Sequence, residues 1–284
     1  MNKVANDDMI EYWNGDGGNK WVRFQERMDV SLKHFGHEVM LAADISAGES
    51  VIDIGCGCGD TTHDIAQRVG PSGHAQGIDI SEQILARAKA REQSTLESNI
   101  AFSLSDVQTH HFEPSVLDLA FSRFGVMFFD DPVIAFSNIR RGLKSGGRVA
   151  FMCWQPAKEN EWISLALDIV KNHIPLPVSP QPEQPGPLSF GDRNRVMRIL
   201  NEAGFKNILI ENFASPFSVG SNVDQAIDFL TNMGPACGAI SQPNVSDTDK
   251  SRINAELRER LMPCETGHGI TLGAATWIVT AQNL

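Results

Sequence analysis

The sequence predicts an α/β fold: a doubly wound, seven-stranded, mostly parallel sheet with a helical cap inserted before the last strand. Three observations carry this. Residues 51–154 alternate short apolar runs with helical stripes, an order that demands crossovers and hence parallel pairing. The stretch Val51-Ile52-Asp53-Ile54-Gly55-Cys56-Gly57-Cys58-Gly59-Asp60 joins an apolar run to a polar helix start through alternating glycines. Such a turn, at the carboxyl end of a parallel strand, is where an open α/β sheet holds a nucleotide-like ligand, because glycine brings no Cβ and adopts positive φ freely. Finally, the apolar run that closes the sheet comes only at residues 275–281, long after the sixth at 206–213.

In chain order, residues 1–45 form an arm and a helix. Met28, Leu32, Phe35 and Val39 make a helical stripe over 20–43, weakened locally by Gly36. Ahead of it stand Tyr12-Trp13-Asn14-Gly15 and Trp21, which read equally as a hydrophobic tether or as a lid over a ligand.

The ligand-binding core spans 46–154. A helix over 60–69 is capped by Asp60, Thr61 and Thr62 and stopped at Gly70-Pro71. The second strand, about 74–80, ends at Asp79, which is 20 residues beyond Gly59 (59 to 79). That is where this architecture sets an acid on a ribose; the same Asp79 is also placed to cap the helix that begins near Ser81. That helix carries Ile84, Leu85 and Ala88 and runs to about Gln93. The third strand, 100–104, ends at Ser105-Asp106-Val107. The fourth, 117–122, continues into Arg123-Phe124-Gly125. Asp130-Asp131-Pro132 starts a helix bearing Ile134, Ile139 and Leu143, Gly146-Gly147 ends it, and 148–154 is the fifth strand.

Residues 155–191 leave this pattern. A short helix over 162–172 precedes Pro175, Pro177, Pro180, Pro182, Pro185 and Pro187, a stiff surface spacer that cannot be helix or central strand. Residues 192–213 and 275–284 complete the core: Asp192 caps a helix with Val196, Ile199, Leu200 and Ala203, closed by Gly204. Residues 214–274 form the cap, with helical stripes over 222–233 and 246–262, expected over the carboxyl edge of the sheet and carrying acceptor specificity.

Composition limits the partners. A net charge of −11, with no basic cluster, repels nucleic acids and anionic membranes over most of the surface. No apolar run reaches the length of a membrane span, and the polar, acidic start is not that of a signal peptide. The five cysteines fit free thiols in a reducing cytoplasm. The oligomeric state is left open.

Residues 51–59 match throughout the pattern hydrophobic-hydrophobic-acid-hydrophobic-G-x-G-x-G, which resembles the first motif of class I S-adenosylmethionine-dependent methyltransferases. A dinucleotide turn would instead need glycine at Asp60. Asp79, then Asp106-Val107, then the Ser122 strand and Gly146-Gly147 follow in that family's order. The arm with Trp13-Asn14-Gly15 and Trp21, together with Phe121-Ser122-Arg123-Phe124-Gly125, is similar to the bacterial small-molecule branch related to ubiquinone and menaquinone methyltransferases.

The resemblance implies S-adenosylmethionine as cofactor, held at Asp53, Gly55, Cys56, Gly57 and Gly59, with Asp79 and Ile80 at the ribose and Asp106-Val107 at the adenine. Ser122, Arg123 and Trp21 would lie beside the methionine end, and 122–129 below the methyl. Arg123 could instead orient an acidic acceptor. The acceptor is expected to be a small molecule. DNA and protein-amide methylation would need Asn or Asp followed by Pro-Pro-aromatic where Ser122-Arg123-Phe124-Gly125 stands. No metal is expected, since Asp130-Asp131 read as a helix start and Cys56-x-Cys58 is too closely spaced for a zinc knuckle. Thiol capture through Cys153, Cys237 and Cys264, as in arsenic methylation, is a lesser option.

In-line methyl transfer needs chiefly alignment in a dry pocket. If a base assists, His110 and His111 are the nearest histidines beyond Asp106; as loop residues they also read as exposed polar side chains. Two other classes stay open: a binding module that kept the cofactor fold without catalysis, and a nicotinamide-dependent oxidoreductase, which Asp60 disfavours.

Overall fold

The computed structural model describes residues 6–92, 98–177 and 183–284. The chain opens with three helices, α1 (Asp7–Asn14), α2 (Asp16–Arg23) and α3 (Gln25–Ala43). The single helix expected over 20–43 is thus broken at Phe24, whose φ of −95° and ψ of 6° leave the helical range. The core follows as β1 (Ser50–Ile54), α4 (Asp60–Val69), β2 (His74–Asp79), α5 (Glu82–Glu92), β3 (Ile100–Leu104), β4 (Leu117–Arg123), α6 (Pro132–Gly142) and β5 (Leu143–Trp154). Beyond it come α7 (Glu161–His173), α8 (Arg193–Glu202), β6 (Lys206–Gly220), α9 (Val223–Asn232), α10 (Pro235–Ile240), α11 (Asp247–Leu261) and β7 (Ile270–Gln282). Gln93, Pro180 and Pro182 lie outside the described residues.

The seven strands run in the order β3-β2-β1-β4-β5-β7-β6. β1 pairs in parallel with both β2 and β4, and β7 runs antiparallel between β5 and β6. From β1 the chain winds one way through β2 to β3 and then the other way through β4 to β5. Right-handed crossovers put α4 and α5 on one face and α6 on the other. The reversal falls between β1 and β4, so the crevice at their carboxyl ends is the site the topology provides.

The last hairpin is longer than the sequence pattern suggested. β6 and β7 stay paired beyond Thr276, the partner of Trp154 at the end of β5, as far as Gly220 and Ile270. Pro216 lies inside β6, opposite Gly273. Proline is tolerated there because β6 is the edge strand and the missing N–H falls on its free side. The insertion therefore covers 221–269 rather than 214–274, and it holds a third helix, α10. Together with α7, which contacts α9, α10 and α11, these helices form one four-helix cap.

An aromatic cluster joins cap, arm and sheet. Phe35 of α3 meets Trp154, Phe213 and Phe217, while Trp162 of α7 packs on Trp154 and Phe217 and, with Phe217, on Phe229 of α9. Apart from the half-buried Phe213, these rings are buried, and their edge-to-face and tilted contacts fix how the cap sits on the sheet.

Candidate active site

The three glycines after β1 all take positive φ: 64° at Gly55, 58° at Gly57 and 85° at Gly59. Their surroundings differ. A Cβ on Gly55 would lie 2.7 Å from Cα of Gly125, one on Gly59 2.8 Å from the Phe102 ring, and one on Gly57 3.2 Å from the Trp21 indole nitrogen. Gly55 and Gly59 thus serve close packing within the protein, and only Gly57 faces the arm. Cys56 offers the turn its backbone alone: its thiol is buried, and burial drives its pKa well up.

Asp53 lies beneath the turn. Its Oδ2 accepts hydrogen bonds from the hydroxyls of Thr61 and Thr62, each at 2.7 Å, and its buried Oδ1 has no hydrogen-bond partner. Thr61 and Thr62 therefore brace Asp53 instead of capping α4, whose N-cap position is Gly59. Asp60 does not cap either; it pairs with Arg123 at 2.8 Å. The Arg123 side chain is only 9% exposed, so this ion pair ties β4 to the start of α4 and leaves no free guanidinium to orient a carboxylate. Ser122 is likewise internal, donating to the Ile54 carbonyl at 2.7 Å and accepting from the Gly125 amide at 3.1 Å.

Burial pushes the Asp53 carboxyl up to about 6, against the opposing pull of the threonine hydroxyls and Arg123. A raised pKa means that the folded state holds this proton more tightly than the unfolded chain. The group therefore favours folding at low pH, and that contribution is lost as pH rises through about 6. Wild-type stability, measured by urea unfolding relative to Asp53→Asn, should rise by about 1 kcal/mol from pH 7 to pH 5. A flat difference would mean that Asp53 ionises without penalty.

Asp79 joins the turn to β2. Its Oδ2 accepts from the Gly57 amide and its Oδ1 from the Ser81 amide, both at 3.0 Å, while burial raises its pKa. The Ile80 amide also acts on this carboxylate, which still has lone-pair capacity for an incoming hydroxyl. Next to it is a cavity of about 460 Å³ lined by Ile80, Glu82, Leu104, Ser105 and Asp106 on one side and by Ile10, Glu11 and Asn14 of α1 on the other. Its size suits a nucleoside-sized ligand.

The α1 wall was not legible in the sequence, where the tryptophans drew attention instead. It is fastened firmly: Asn14 donates to the Ile80 carbonyl and accepts from the Glu82 amide, both at 2.9 Å, and the Trp13 carbonyl accepts from the Ser81 hydroxyl at 2.7 Å. Trp13 then packs edge-on against both Trp21 and Phe128, bringing the arm against the segment after β4. Phe124 in that segment has a φ of 66°, a conformation costly for an aromatic residue, and its ring stacks on Trp154 at 4.1 Å.

Asp106 lines the same cavity, just past the end of β3. Its Oδ1 accepts from Asn6 at 2.8 Å and from the Gln108 amide at 2.9 Å; its buried Oδ2 has no hydrogen-bond partner. Val107 is buried in the core. His110 bonds the Ser105 hydroxyl at 2.8 Å and packs edge-on to Phe112, while burial and then His111 hold its imidazole below the usual range. His111 is exposed, and neither histidine lines the cavity. No metal-ligating cluster occurs among the described residues, nor is any helix there long and apolar enough to cross a membrane.

A family model described as a methyltransferase domain matches residues 45–204. The chain is 30% identical over 154 residues to demethylmenaquinone methyltransferase of Lactococcus lactis subsp. lactis (strain IL1403), covering 52% of this chain and 59% of the relative. It is 27% identical over 200 residues to phosphoethanolamine N-methyltransferase 2 of Caenorhabditis elegans, covering 68% of this chain and 39% of that protein. Less than two thirds of either relative is therefore spanned. In fold it is similar to a putative methyltransferase from Bacillus halodurans C-125, with a TM-score of 0.56 at 17% identity over 87% of this chain and 98% of the other.

Proposed function

The chain belongs to the methyltransferase-domain family, and from that membership we propose that it binds S-adenosylmethionine in the crevice between β1 and β4 and transfers its methyl group to a small-molecule acceptor. One observation carries the reading: Ile80 and Asp106, just past the carboxyl ends of adjacent strands, line one nucleoside-sized cavity, and Asp79, the residue before Ile80, binds the Gly57 turn. The residues present fit this cofactor. Asp79 has lone pairs for the two hydroxyls of a ribose, and the buried, unpartnered Oδ2 of Asp106 calls for a donor such as the adenine 6-amino group. Ile80 supplies apolar contact, and the turn around Gly57 lies where the methionine end would rest.

The bound cofactor supplies a methyl group activated on a positively charged sulfonium. The protein's part is alignment and exclusion of water. Trp13, Trp21 and Phe128 form an aromatic wall beside the turn, so the arm acts as a lid and lowers the local dielectric. With His110 bonded to Ser105 and His111 exposed, the chemistry rests on positioning the acceptor rather than on a histidine base. The four-helix cap provides the acceptor surface. The acidic surface argues against nucleic-acid substrates, and the free cysteines suit a cytoplasmic enzyme.

Calorimetric titration should show one site for S-adenosylmethionine and one for S-adenosylhomocysteine. Binding of neither would sink the proposal. Methyl transfer to any acceptor in a small-molecule screen would exclude a purely non-catalytic module.

A further inference from the structure

We infer that Asn6 is a positioning residue that holds the Asp106 carboxylate ready for the 6-amino group of adenine, and so makes selection of the adenine base depend on the arm being in place. The inference rests on the cofactor site proposed above but concerns a residue outside every motif of the core.

Asn6 precedes α1 and is nearly fully buried. Its backbone sits at φ 57° and ψ 15°, the left-handed region that asparagine tolerates better than most residues. Its carbonyl accepts from the Ile10 amide at 2.8 Å, which fixes it to the first turn of α1. Both ends of the side-chain amide are used. Oδ1 accepts from the Asp130 amide at 2.6 Å, and Nδ2 donates to Oδ1 of Asp106 at 2.8 Å. One carboxamide thus joins the arm to the loop after β3 and to the segment after β4.

The consequence falls on Asp106. Two donors, Asn6 and the Gln108 amide, converge on the same oxygen, while Oδ2 is buried and unpartnered in a residue that lines the cavity. A buried carboxylate oxygen without a donor is costly, so an unrestrained Asp106 would turn to share its donors between both oxygens. Asn6 resists that turn, because its own amide is pinned at the far end by Asp130. The oxygen left over is kept for a donor on the ligand, and adenine offers one in its 6-amino group.

The test compares calorimetric affinities for S-adenosylhomocysteine and for its 6-desamino purine analogue, which lacks only that donor. The wild-type chain should prefer the amino compound by about tenfold or more, the range of a hydrogen bond to a charged acceptor. Asn6→Gly keeps the left-handed backbone free of strain and deletes the amide; it should reduce the preference to about threefold or less. Asn6→Asp keeps the shape and the acceptor for Asp130 but sets a like charge against Asp106, and it should reduce the preference as well, which preserves the test if the glycine variant fails to fold. A variant that binds both compounds more weakly by one common factor would assign Asn6 to arm docking alone and overturn the inference, as would an unchanged ratio. Failure of the wild-type chain to bind either compound would instead overturn the cofactor site itself.

Discussion

Asp79→Ala should weaken binding of S-adenosylhomocysteine at least about 100-fold, a loss of about 3 kcal/mol by calorimetry. Two losses combine. The carboxylate would no longer receive the two ribose hydroxyls, each a charge-assisted bond. The Gly57 and Ser81 amides, now bonded to its two oxygens at 3.0 Å, would lose their acceptor, and Gly57 is the glycine of the turn that faces the arm's Trp21 indole. The structure also distinguishes charge from shape. Asp79→Asn preserves size, but only one of its two terminal atoms accepts, so its NH2 group must face either the Gly57 or the Ser81 amide, donor against donor. The asparagine variant should therefore bind no better than the alanine variant. Asparagine binding within a few-fold of wild type would remove Asp79 from the ribose site. Because burial raises the Asp79 pKa, wild-type binding should also fade on acidification at a higher pH than an ordinary aspartate would give.

The core was legible because its signals are local. Alternating glycines permit positive φ, acids stand at strand ends, and apolar runs alternate with helical stripes, so the sheet and Asp79 follow from pattern and spacing, while Asp106 stands out through its place in the motif order of the family the chain resembles. What each residue touches is decided by partners far along the chain. The sequence pattern points Arg123 toward the ligand, yet it meets Asp60 at the start of α4. Asp60, Thr61 and Thr62 have the local pattern of a helix cap, yet the two threonines are drawn to the buried Asp53. The same holds for strand length: Pro216 ends a strand by local rule, and only its place at the sheet edge lets the hairpin continue. The arm was hardest to read, since Asn6 and Asn14 look like ordinary polar residues until α1 is laid across the cavity.

Gly125→Ala should abolish cofactor binding and lower stability by about 3 kcal/mol, the upper part of the range for overpacking. Gly125 has φ −82° and ψ −36°, which any residue adopts, so alanine meets no backbone strain. It meets a lack of space: the new Cβ would lie 2.5 Å from the Ile54 carbonyl oxygen and 2.9 Å from Cα of Gly55. Both are backbone atoms of the β1 turn, and no flexible side chain can yield. The turn would have to move away from β4, breaking the Ser122 bridge between the Ile54 carbonyl and the Gly125 amide. Two other glycines separate the contributions. Gly146→Ala combines a φ of 81° with open space, so it should cost only the left-handed strain of about 1 kcal/mol and leave binding intact. Gly238→Ala, inside α10 with nothing within 4 Å of the new Cβ, should be neutral or slightly stabilising. If Gly125→Ala matched Gly238→Ala in melting temperature and in affinity for S-adenosylhomocysteine, the close approach of the two loops would not be what shapes the crevice. If it behaves as expected, Gly55 and Gly125 are needed because two backbones meet there, and of the three glycines in the motif only Gly57 is left to face a ligand.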